Sequence, residues 1–474
     1  MRGSMKQKMD MTHGPLMKKI IIVALPLALS GILQLLFNAA DLIVVGQFSN
    51  TPEQSLAAVS SNGALIHLII NLALGLAVGT NVIMSQAIGA RDLEKANRIL
   101  HSSILLSLIC GVVMGLIGFF GARFFLTLMD VDEAIIDKAV LYLQIFFLGT
   151  PANLFYNFGS AILRAKGDTT RPMIFLSIAG VINVGLNIVL VVGGLDVAGV
   201  AIATIVSQYL SAILLCICLC KETDFCKLSF KKLKIHKRET LDVVRVGLPS
   251  GALSCCFSIS NVIIQSAING FGYLLVAGSS TANNLDGFVY TAMNAVSSSA
   301  LTFASQNYGA KRYSRIRRVM KDGCLLAFAV WTIIAGALLL FPRTFAGFYT
   351  KDATVISYAT TRIYCTIPFF FLLGFNEVFV SGLRSMNHTI APVVISLFGT
   401  CLLRIVWVFT AAQIVHTPEM LYASYGISWI LTLIVTLVYY IVCYKKLMKT
   451  APQDALPNPD FEAQPAPQSN EDKN

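Results

Sequence analysis

Charged residues are scarce in this 474-residue chain: they make up 13% of it, whereas hydrophobic residues make up 55%. A soluble globular protein carries about a quarter charged residues. A disordered chain is poor in Leu, Ile, Val and Phe, and this chain is rich in them. The composition therefore excludes both classes and leaves a chain whose solvent is mostly lipid.

Motifs that mark the common membrane enzymes are also missing. The chain has no G-x-x-x-x-G-K-[ST] loop to hold a nucleotide phosphate and no H-E-x-x-H zinc motif. Its eleven cysteines include no pair at C-x-x-C spacing, and they lie mostly in apolar runs, so we interpret them as buried thiols in a reducing compartment. We therefore expect no enzyme activity and no bound cofactor.

Twelve continuously apolar runs dominate the chain. Each run is close in length to the ~20 residues that a helix needs to cross ~30 Å of hydrocarbon. Backbone inside lipid must satisfy its own hydrogen bonds, and a β-barrel would show short alternating segments instead. The sequence predicts an all-α membrane protein with transmembrane helices at 18–44, 57–83, 101–121, 138–161, 174–193, 198–219, 245–269, 277–303, 322–342, 356–381, 391–413 and 422–443.

Positive charge is concentrated in every second loop. Of the 36 Lys and Arg residues, six lie elsewhere and 30 lie on or next to the segments that share a side with the amino terminus. The six exceptions are Arg123, Lys138, Arg343, Lys351, Arg362 and Arg404. The positive-inside rule predicts that both termini are cytoplasmic, in a multi-pass protein of the plasma (inner) membrane. Nucleic-acid binding, the rival interpretation of a +11 chain, is disfavoured because the basic residues lie in short loops.

The chain repeats itself at a nearly constant offset. The segment S-Q-A-I-G-A-R at 85–91 matches S-Q-N-Y-G-A-K at 305–311, and Leu163-Arg164 matches Leu383-Arg384, both at an offset of 220. Pro26 and Pro249 pair at an offset of 223. Each half holds six spans, an even number, so the halves have the same orientation in the membrane. Two such bodies around a cleft favour a transporter over a receptor, channel or membrane enzyme.

These patterns divide the chain into five parts. The joining segment is rich in lysine, and its sequence is compatible both with a position near anionic headgroups and with a plain solvated loop. The tail is poor in apolar residues and is predicted to be disordered. The parts are a cytoplasmic amino terminus at 1–17, an N-lobe at 18–219, a basic cytoplasmic linker at 220–244, a C-lobe at 245–443 and a disordered cytoplasmic tail at 444–474.

Ionisable and amide side chains inside spans are costly, so they are candidates for function. Asp41 lies in the outer part of the first span, beyond Pro26, which is either a hinge or a static kink. Asn183 and Asn187 share one helix face at i, i+4. For Arg404, pairing and snorkelling to an interface both remain open. His67 and His101 are isolated and are expected to be packed. The candidate cavity residues are Gln34, Asn38, Asn157, Asn261, Gln265, Asp286, Asn376, Glu377 and Arg404.

In this order and duplicated, these features resemble the multidrug and toxic compound extrusion (MATE) family from about 15 to 445. The features are the first span with Pro26 and Asp41, the S-Q-x-x-G-A-[RK] segments, the Leu-Arg segments and G-D-T-T-R-P at 167–172. The resemblance implies a V-shaped exporter with two pseudo-symmetric six-helix bundles, usually a monomer, driven by inward flow of Na⁺ or H⁺.

One branch of that family has an acidic coupling site in its first lobe. The resemblance places this site, with Na⁺ or H⁺ as the ion, at Asp41, Asn183, Asn187 and Thr204. The branch usually has an aspartate where this chain has Asn187. Another branch uses a glutamate in the seventh span, and no acid occurs in that span here. The chain thus departs from both patterns.

The resulting expectation is a secondary active antiporter that exports small amphipathic, often cationic, organic compounds by rocking of the two lobes. Its expected partners are these compounds and membrane lipids, and not nucleic acid. The alternative is a flippase for a lipid-linked oligosaccharide, which would need a strongly basic cavity for a diphosphate. Arg362 and Arg404 are the only arginines predicted well inside spans.

Overall fold

Long helices make up nearly all of the computed structural model, which describes residues 9–49 and 51–450. The side chains of residues 64, 67 and 68 are not described, so the expectation that His67 is packed lies outside the described residues. Short helices at Pro342–Gly347 and Ala411–Ile414 lie in connections. The principal helices are α1 (Leu16–Phe48), α2 (Pro52–Gly89), α3 (Leu93–Leu128), α4 (Glu133–Leu148 and Thr150–Ala165), α5 (Thr170–Leu190), α6 (Asp196–Lys221), α7 (Lys237–Asn269), α8 (Tyr273–Gly309), α9 (Tyr313–Leu340), α10 (Ala353–Thr366 and Phe370–Ser385), α11 (Ile390–Ser396, Leu397–Leu402 and Leu403–Phe409) and α12 (Pro418–Thr450).

The helices are long enough for a membrane. Within the described ranges, nine helical stretches are long and apolar enough to cross it, and the two segments of α4, bent by 45°, make a tenth as one span. The 52-residue stretch Thr170–Lys221 contains both α5 and α6, which separate where Gly194 takes a φ of 90°. Together with the more polar α8, these are the twelve helices that the sequence predicts.

Side-chain exposure is that of a protein surrounded by lipid. Large apolar side chains such as Phe120, Phe124 and Ile333 are exposed on the outside of the bundle. Aromatic side chains such as Phe147, Phe158 and Phe303 are fully buried between helices. An exposed apolar surface of this size would aggregate in water, so the outer surface is the one that faces the acyl chains of the lipid.

Two six-helix halves, the N-half (16–221) and the C-half (237–450), meet through small residues. A Cβ added to Gly75 would lie 2.2 Å from the backbone nitrogen of Gly251, and one added to Gly79 would lie 2.3 Å from the carbonyl oxygen of Val243. Glycine at these positions lets α2 and α7 touch backbone to backbone, as small residues do in membrane helix pairs.

The segment between the halves is bound to the N-half rather than free. The linker runs from 222 to 236, and the side chain of Cys226 is fully buried against the N-half core. His101 Nδ1 lies 2.8 Å from the carbonyl oxygen of Asn97, and its Nε2 lies 3.2 Å from the backbone nitrogen of Ser229. His101 is therefore packed, as expected, and it holds the linker in place.

Lys166 adds an ionic contact to the linker. Its ammonium pairs with the carboxylates of Glu222 and Asp224, the latter at 2.8 Å. Burial disfavours the charge, but the hydrogen bonds from Lys166 to the two carboxylates outweigh it and raise the pKa of Lys166 above its ordinary 10.5. The contribution to stability is thus complete below pH 10.5 and is lost as the pH rises through the raised value.

Replacing Lys166 by methionine should loosen the linker. The change removes the charged donor that both carboxylates share at a partly buried site, while Glu222 keeps its ion pair with Arg171, and it should cost about 1–3 kcal/mol of local stability. Hydrogen exchange of 222–236 at neutral pH should therefore quicken in Lys166→Met and stay unchanged in Lys227→Met, a control on the same segment. Equal exchange in Lys166→Met and the wild type would show that the ion pairs do not hold the linker.

The linker and the tail differ from the structure in their predicted boundaries. The linker was expected at 220–244, but α7 begins at Lys237 and includes 237–244. The tail was expected to be disordered from 444, yet α12 continues to Thr450, because its pattern of apolar and basic residues suits a helix that leaves the membrane. Residues 1–8 and 451–474 lie outside the described residues.

Candidate functional site

The N-half places an acid and two amides together. Asp41, partly buried on α1, accepts a hydrogen bond from the Nδ2 of Asn187 on α5. Asn187 Nδ2 also lies 3.4 Å from Asn183 Oδ1, and both asparagines are buried. No Lys or Arg of the described chain forms an ion pair with Asp41. The carboxylate is therefore held by a neutral partner inside a membrane span.

The oxygen atoms at this site include one without a partner. Asn187 Oδ1 is buried and makes no hydrogen bond within the described chain. Such an oxygen, beside a carboxylate, is the donor type that Na⁺ and other hard cations take. Thr204 instead donates its hydroxyl to the carbonyl oxygen of Val200 on its own helix at 2.9 Å, and makes no hydrogen bond to Asp41. Three of the four predicted residues thus lie together.

A cavity of about 580 Å³, here called the C-half cavity, lies between α2 and the helices of the C-half. Serine, asparagine and charged side chains make up more than half of its lining, and the aromatic rings of Tyr425 and Trp429 lie beside Arg404. The charged residues that line it are Asp286, Arg362, Glu377, Arg384 and Arg404.

Two of the cavity arginines face acids. The Nη2 of Arg362 lies 3.5 Å from Asp286 Oδ2, with both side chains buried. Arg362 also donates to the carbonyl oxygen of Ser279 at 2.9 Å. Glu377 and Arg384 lie seven residues apart on α10 and interact electrostatically across the cavity wall. These pairs lower the cost of charge inside the protein.

The remaining candidate residues lie in several environments. Asn261 lines the C-half cavity with Asp286, Glu377 and Arg404, whereas Gln34 and Asn38 are exposed on α1. Asn157 Nδ2 and Gln265 Nε2 hydrogen-bond to neighbours on their own helices, and Asn376 is buried with a free Oδ1. Pro26 lies inside α1, which continues through it as one helix from Leu16 to Phe48.

Sequence reasoning missed Arg384 as a cavity residue. It precedes a turn, so it looked like an interfacial residue, and only the approach of α10 to α8 brings it to the cavity. Tyr290, Tyr425 and Trp429 were missed because an aromatic residue in a span usually faces lipid or core. Tyr142, which lies near Asp41, was missed for the same reason.

The repeated motif closes the two halves against each other at the face where Met11 contacts Asn307. Gln86 Nε2 donates to the carbonyl oxygen of Ser385 at 2.9 Å, and Gln306 Nε2 donates to that of Ala165 at 2.7 Å. Donors and acceptors are both 220 residues apart, so the two bonds are related by the repeat.

Two glycines allow this approach. A Cβ on Gly89 would lie 1.9 Å from the carbonyl oxygen of Gln306, and one on Gly309 would lie 2.0 Å from that of Gln86. We call Gln86, Gly89, Gln306 and Gly309 the terminal seam. Real Cβ atoms do not approach oxygen so closely, so only glycine permits the seam to close.

A family model for MatE matches residues 26–189 and 249–410, one match in each half. The chain belongs to this family. The match covers both candidate regions, since Asp41 and Asn187 lie in the first part and Asp286, Glu377 and Arg404 lie in the second. The duplicated fold is thus that of a MATE transporter.

Relatives of this MATE protein match along most of their length. The probable multidrug resistance protein YoeA of Bacillus subtilis (strain 168) is 24% identical over 438 residues, which are 90% of this chain and 94% of that protein. An FAD transporter of Shewanella oneidensis is 23% identical over 419 residues, 84% of this chain and 89% of that protein.

Solved structures share the fold. A MOP superfamily transporter from Pyrococcus furiosus matches with a TM-score of 0.87 and 22% identity over 94% of this chain and 100% of that one. A multidrug resistance MATE family transporter in an outward-facing conformation also matches with a TM-score of 0.87, at 22% identity and the same coverage. The MATE fold, two bundles of six helices, is therefore shared over nearly the whole chain, which is a multi-pass membrane transporter.

Proposed function

We propose that this MATE transporter is a secondary active antiporter that exports small amphipathic organic compounds, often cationic, in exchange for Na⁺ or H⁺. The observation that carries the proposal is Asp41, a carboxylate inside a span whose hydrogen-bond partner, Asn187, is a neutral amide. An acid paired with a fixed cation is already neutralised, whereas this acid still needs a proton or a metal cation.

Coupling requires that the occupancy of Asp41 differ between two states of the transporter. A bound ion shifts the equilibrium between states only by its differential affinity for them. Asp41 and the free Oδ1 of Asn187 supply oxygens for Na⁺, and the carboxylate alone suffices for H⁺. Pro26, which removes one backbone hydrogen bond from α1, is the proposed hinge through which occupancy changes the helix.

Alternating access is proposed to operate across the terminal seam. The Lys and Arg distribution favours a cytoplasmic location for this face, with both termini inside the cell and the protein in the plasma membrane. With the seam closed, the described conformation then corresponds to an outward-facing state of a monomeric antiporter. Opening the seam would expose the same cleft to the cytoplasm.

A flippase for a lipid-linked oligosaccharide remains the second candidate. The favouring observation is the third arginine, Arg384, which joins Arg362 and Arg404 around the C-half cavity. Asp286 and Glu377 offset two of these charges, which leaves little positive charge for a diphosphate. Export of a small molecule is therefore the better supported function.

Transport by purified protein in liposomes tests the proposal. Vesicles loaded with the fluorescent cation ethidium should lose it through right-side-out protein only when a Na⁺ or H⁺ gradient is imposed, and one of the two ions should suffice. Empty liposomes and an ionophore that collapses the gradient are the controls. Release that ignores both gradients would exclude an antiporter, and movement of a labelled lipid-linked sugar instead would favour the flippase.

A further inference from the structure

The charges of the C-half cavity do not cancel. Three arginines and two acids line it, so its formal charge is +1. Asp286 lies against Arg362, and Glu377 lies near Arg384. The remaining charge is that of Arg404, which makes no ion pair with any carboxylate in the described part of the chain. A buried cation without an acid calls for another source of negative charge.

The guanidinium of Arg404 is held in one orientation. Its Nε donates to Ser428 Oγ at 2.9 Å, and its Cζ lies 4.3 Å from the ring centroid of Tyr425 and 5.6 Å from that of Trp429. Stacking on aromatic faces stabilises the cation without neutralising it. The two terminal nitrogens make no hydrogen bond to the described residues, and the side chain borders the cavity. These two nitrogens, here called the fork of Arg404, are preorganised to bind both oxygens of a carboxylate or phosphate.

A second guanidinium lies at the same aromatic ring. The Cζ of Arg362 is 5.8 Å from the centroid of Tyr425, so Tyr425 stacks with two arginines. Asp286 offsets only one of them, and its Oδ1 has no hydrogen-bond partner within the described residues. Like charges around one ring repel each other unless an anion lies between or beside them.

We propose that the C-half cavity binds the acid group of a small aromatic organic anion, with the fork of Arg404 as its principal contact. This inference adds an anionic, aromatic class to the amphipathic substrates of the transporter and rests on the proposed export function for its physiological meaning. The aromatic body of the ligand would pack against Tyr425, Trp429 and Phe370, which line the same end of the cavity.

The two halves then carry opposite polarity. The position that the 220 offset assigns to Arg404 in the N-half is Val184, between Asn183 and Asn187. In the N-half this region supports the acid Asp41, and in the C-half it presents an arginine. A coupling cation and an anionic group of the substrate would therefore occupy different halves, without competing for one carboxylate.

An organic acid fits better than a lipid headgroup. A volume of about 580 Å³ is in the range of small-molecule pockets. Aromatic rings beside the arginine match a ring-bearing ligand, whereas a phospholipid would place an alkyl chain there. Both sources share an acid group, so the experiment must separate them.

Binding to the full-length protein in phosphatidylcholine nanodiscs tests the proposal with three probes of one shape: 2-naphthoate, 2-naphthamide and 2-naphthylmethylammonium. Titration calorimetry should show that the wild type binds naphthoate about tenfold or more tightly than naphthamide, as a charge-assisted hydrogen bond predicts. Arg404→Gln should remove that preference, Arg404→Lys should keep part of it, and Arg343→Gln, on the exposed surface, should keep all of it.

Several results would overturn the proposal. Equal affinity of the wild type for naphthoate and naphthamide, or tighter binding of the ammonium probe, would exclude an anion site without use of any variant. A full naphthoate preference in Arg404→Gln would exclude Arg404. If Arg404→Gln does not fold by gel filtration, Ser428→Ala, which frees the guanidinium, should weaken naphthoate binding severalfold, and an unchanged affinity would count against the proposal.

Two further arms separate the alternatives. Nanodiscs with phosphatidylglycerol should leave naphthoate affinity unchanged, whereas competition by this lipid would assign the site to a headgroup phosphate and overturn the assignment to an aromatic acid. Naphthoate binding that depends on Arg404, in a protein that moves neither ethidium nor naphthoate under a Na⁺ or H⁺ gradient, would support the site and reject the antiporter. Gradient-driven export of ethidium without any naphthoate binding would support the antiporter and reject the anion site.

Discussion

Asp41→Asn should abolish gradient-driven export while the protein still folds and inserts. Asparagine is nearly isosteric and keeps a hydrogen bond to Asn187, but it neither binds a proton at physiological pH nor carries the charge that attracts a cation. Coupling free energies between sites are typically about 1–3 kcal/mol, so transport under a gradient should fall by at least about fivefold. The measurement is ethidium efflux from proteoliposomes under Na⁺ and H⁺ gradients separately.

Asp137→Asn is the matched control for this variant. Asp137 also lies in the N-half, but its side chain is 80% exposed and pairs only with the exposed Arg123. Export by Asp137→Asn should equal that of the wild type, and ethidium binding without a gradient should survive in Asp41→Asn. Full gradient-driven export by Asp41→Asn would remove Asp41 from the mechanism and direct attention to Asp286 and Glu377.

A companion variant examines the departure of this chain from the family pattern. Asn187→Asp places a second carboxylate beside Asp41, and two neighbouring carboxylates either share a proton or hold a cation more tightly. The ratio of Na⁺-driven to H⁺-driven export should therefore change. An unchanged ratio would show that Asn187 does not contribute to ion choice.

Gly89→Ala should prevent the terminal seam from closing. The added Cβ would lie 1.9 Å from the carbonyl oxygen of Gln306, and backbone on both sides leaves no flexible side chain to move away. Overpacking costs about 1–3 kcal/mol, which is enough to shift the balance between two states by about fivefold or more. Export should fall accordingly, and hydrogen exchange of 83–92 and 303–312 should quicken.

Gly63→Ala is the control in the same helix, since a Cβ at Gly63 meets nothing within 4 Å. It should leave both export and exchange unchanged. Gly309→Ala should reproduce the Gly89→Ala result, because the repeat makes the two positions equivalent. Normal export and exchange in Gly89→Ala would show that the seam is not part of the transport cycle.

Much of the fold could be predicted because lipid imposes simple rules on sequence. Apolar runs of span length and the placement of Lys and Arg are local properties, and the repeat at offset 220 is visible without coordinates. The structure bears out the all-helical membrane fold, and its described helices are consistent with the twelve predicted. It moves the linker and tail boundaries, since helices such as α7 and α12 extend beyond the hydrocarbon wherever local propensity allows.

The candidate sites show the limit of local reasoning. Asn183 and Asn187 share a face by helical periodicity alone, and Asp41 was singled out as an acid inside a span. Thr204 was placed beside them through family resemblance, but its hydroxyl bonds to its own helix. Arg384 looked like a loop residue, and Tyr425 and Trp429 looked like ordinary span aromatics.

The sequence by itself determined that this protein lies in lipid, the order of its predicted helices and the duplication of its two halves. It also determined which ionisable side chains lie inside membrane spans. These follow from composition and periodicity. Only the tertiary structure decided which helices meet through glycine and that Gln86 and Gln306 close one face reciprocally. It also decided that Arg404 lies beside Tyr425 and Trp429 with no ion pair to an acid of residues 9–49 or 51–450. Such contacts join residues far apart in the chain, and their geometry depends on how whole helices pack.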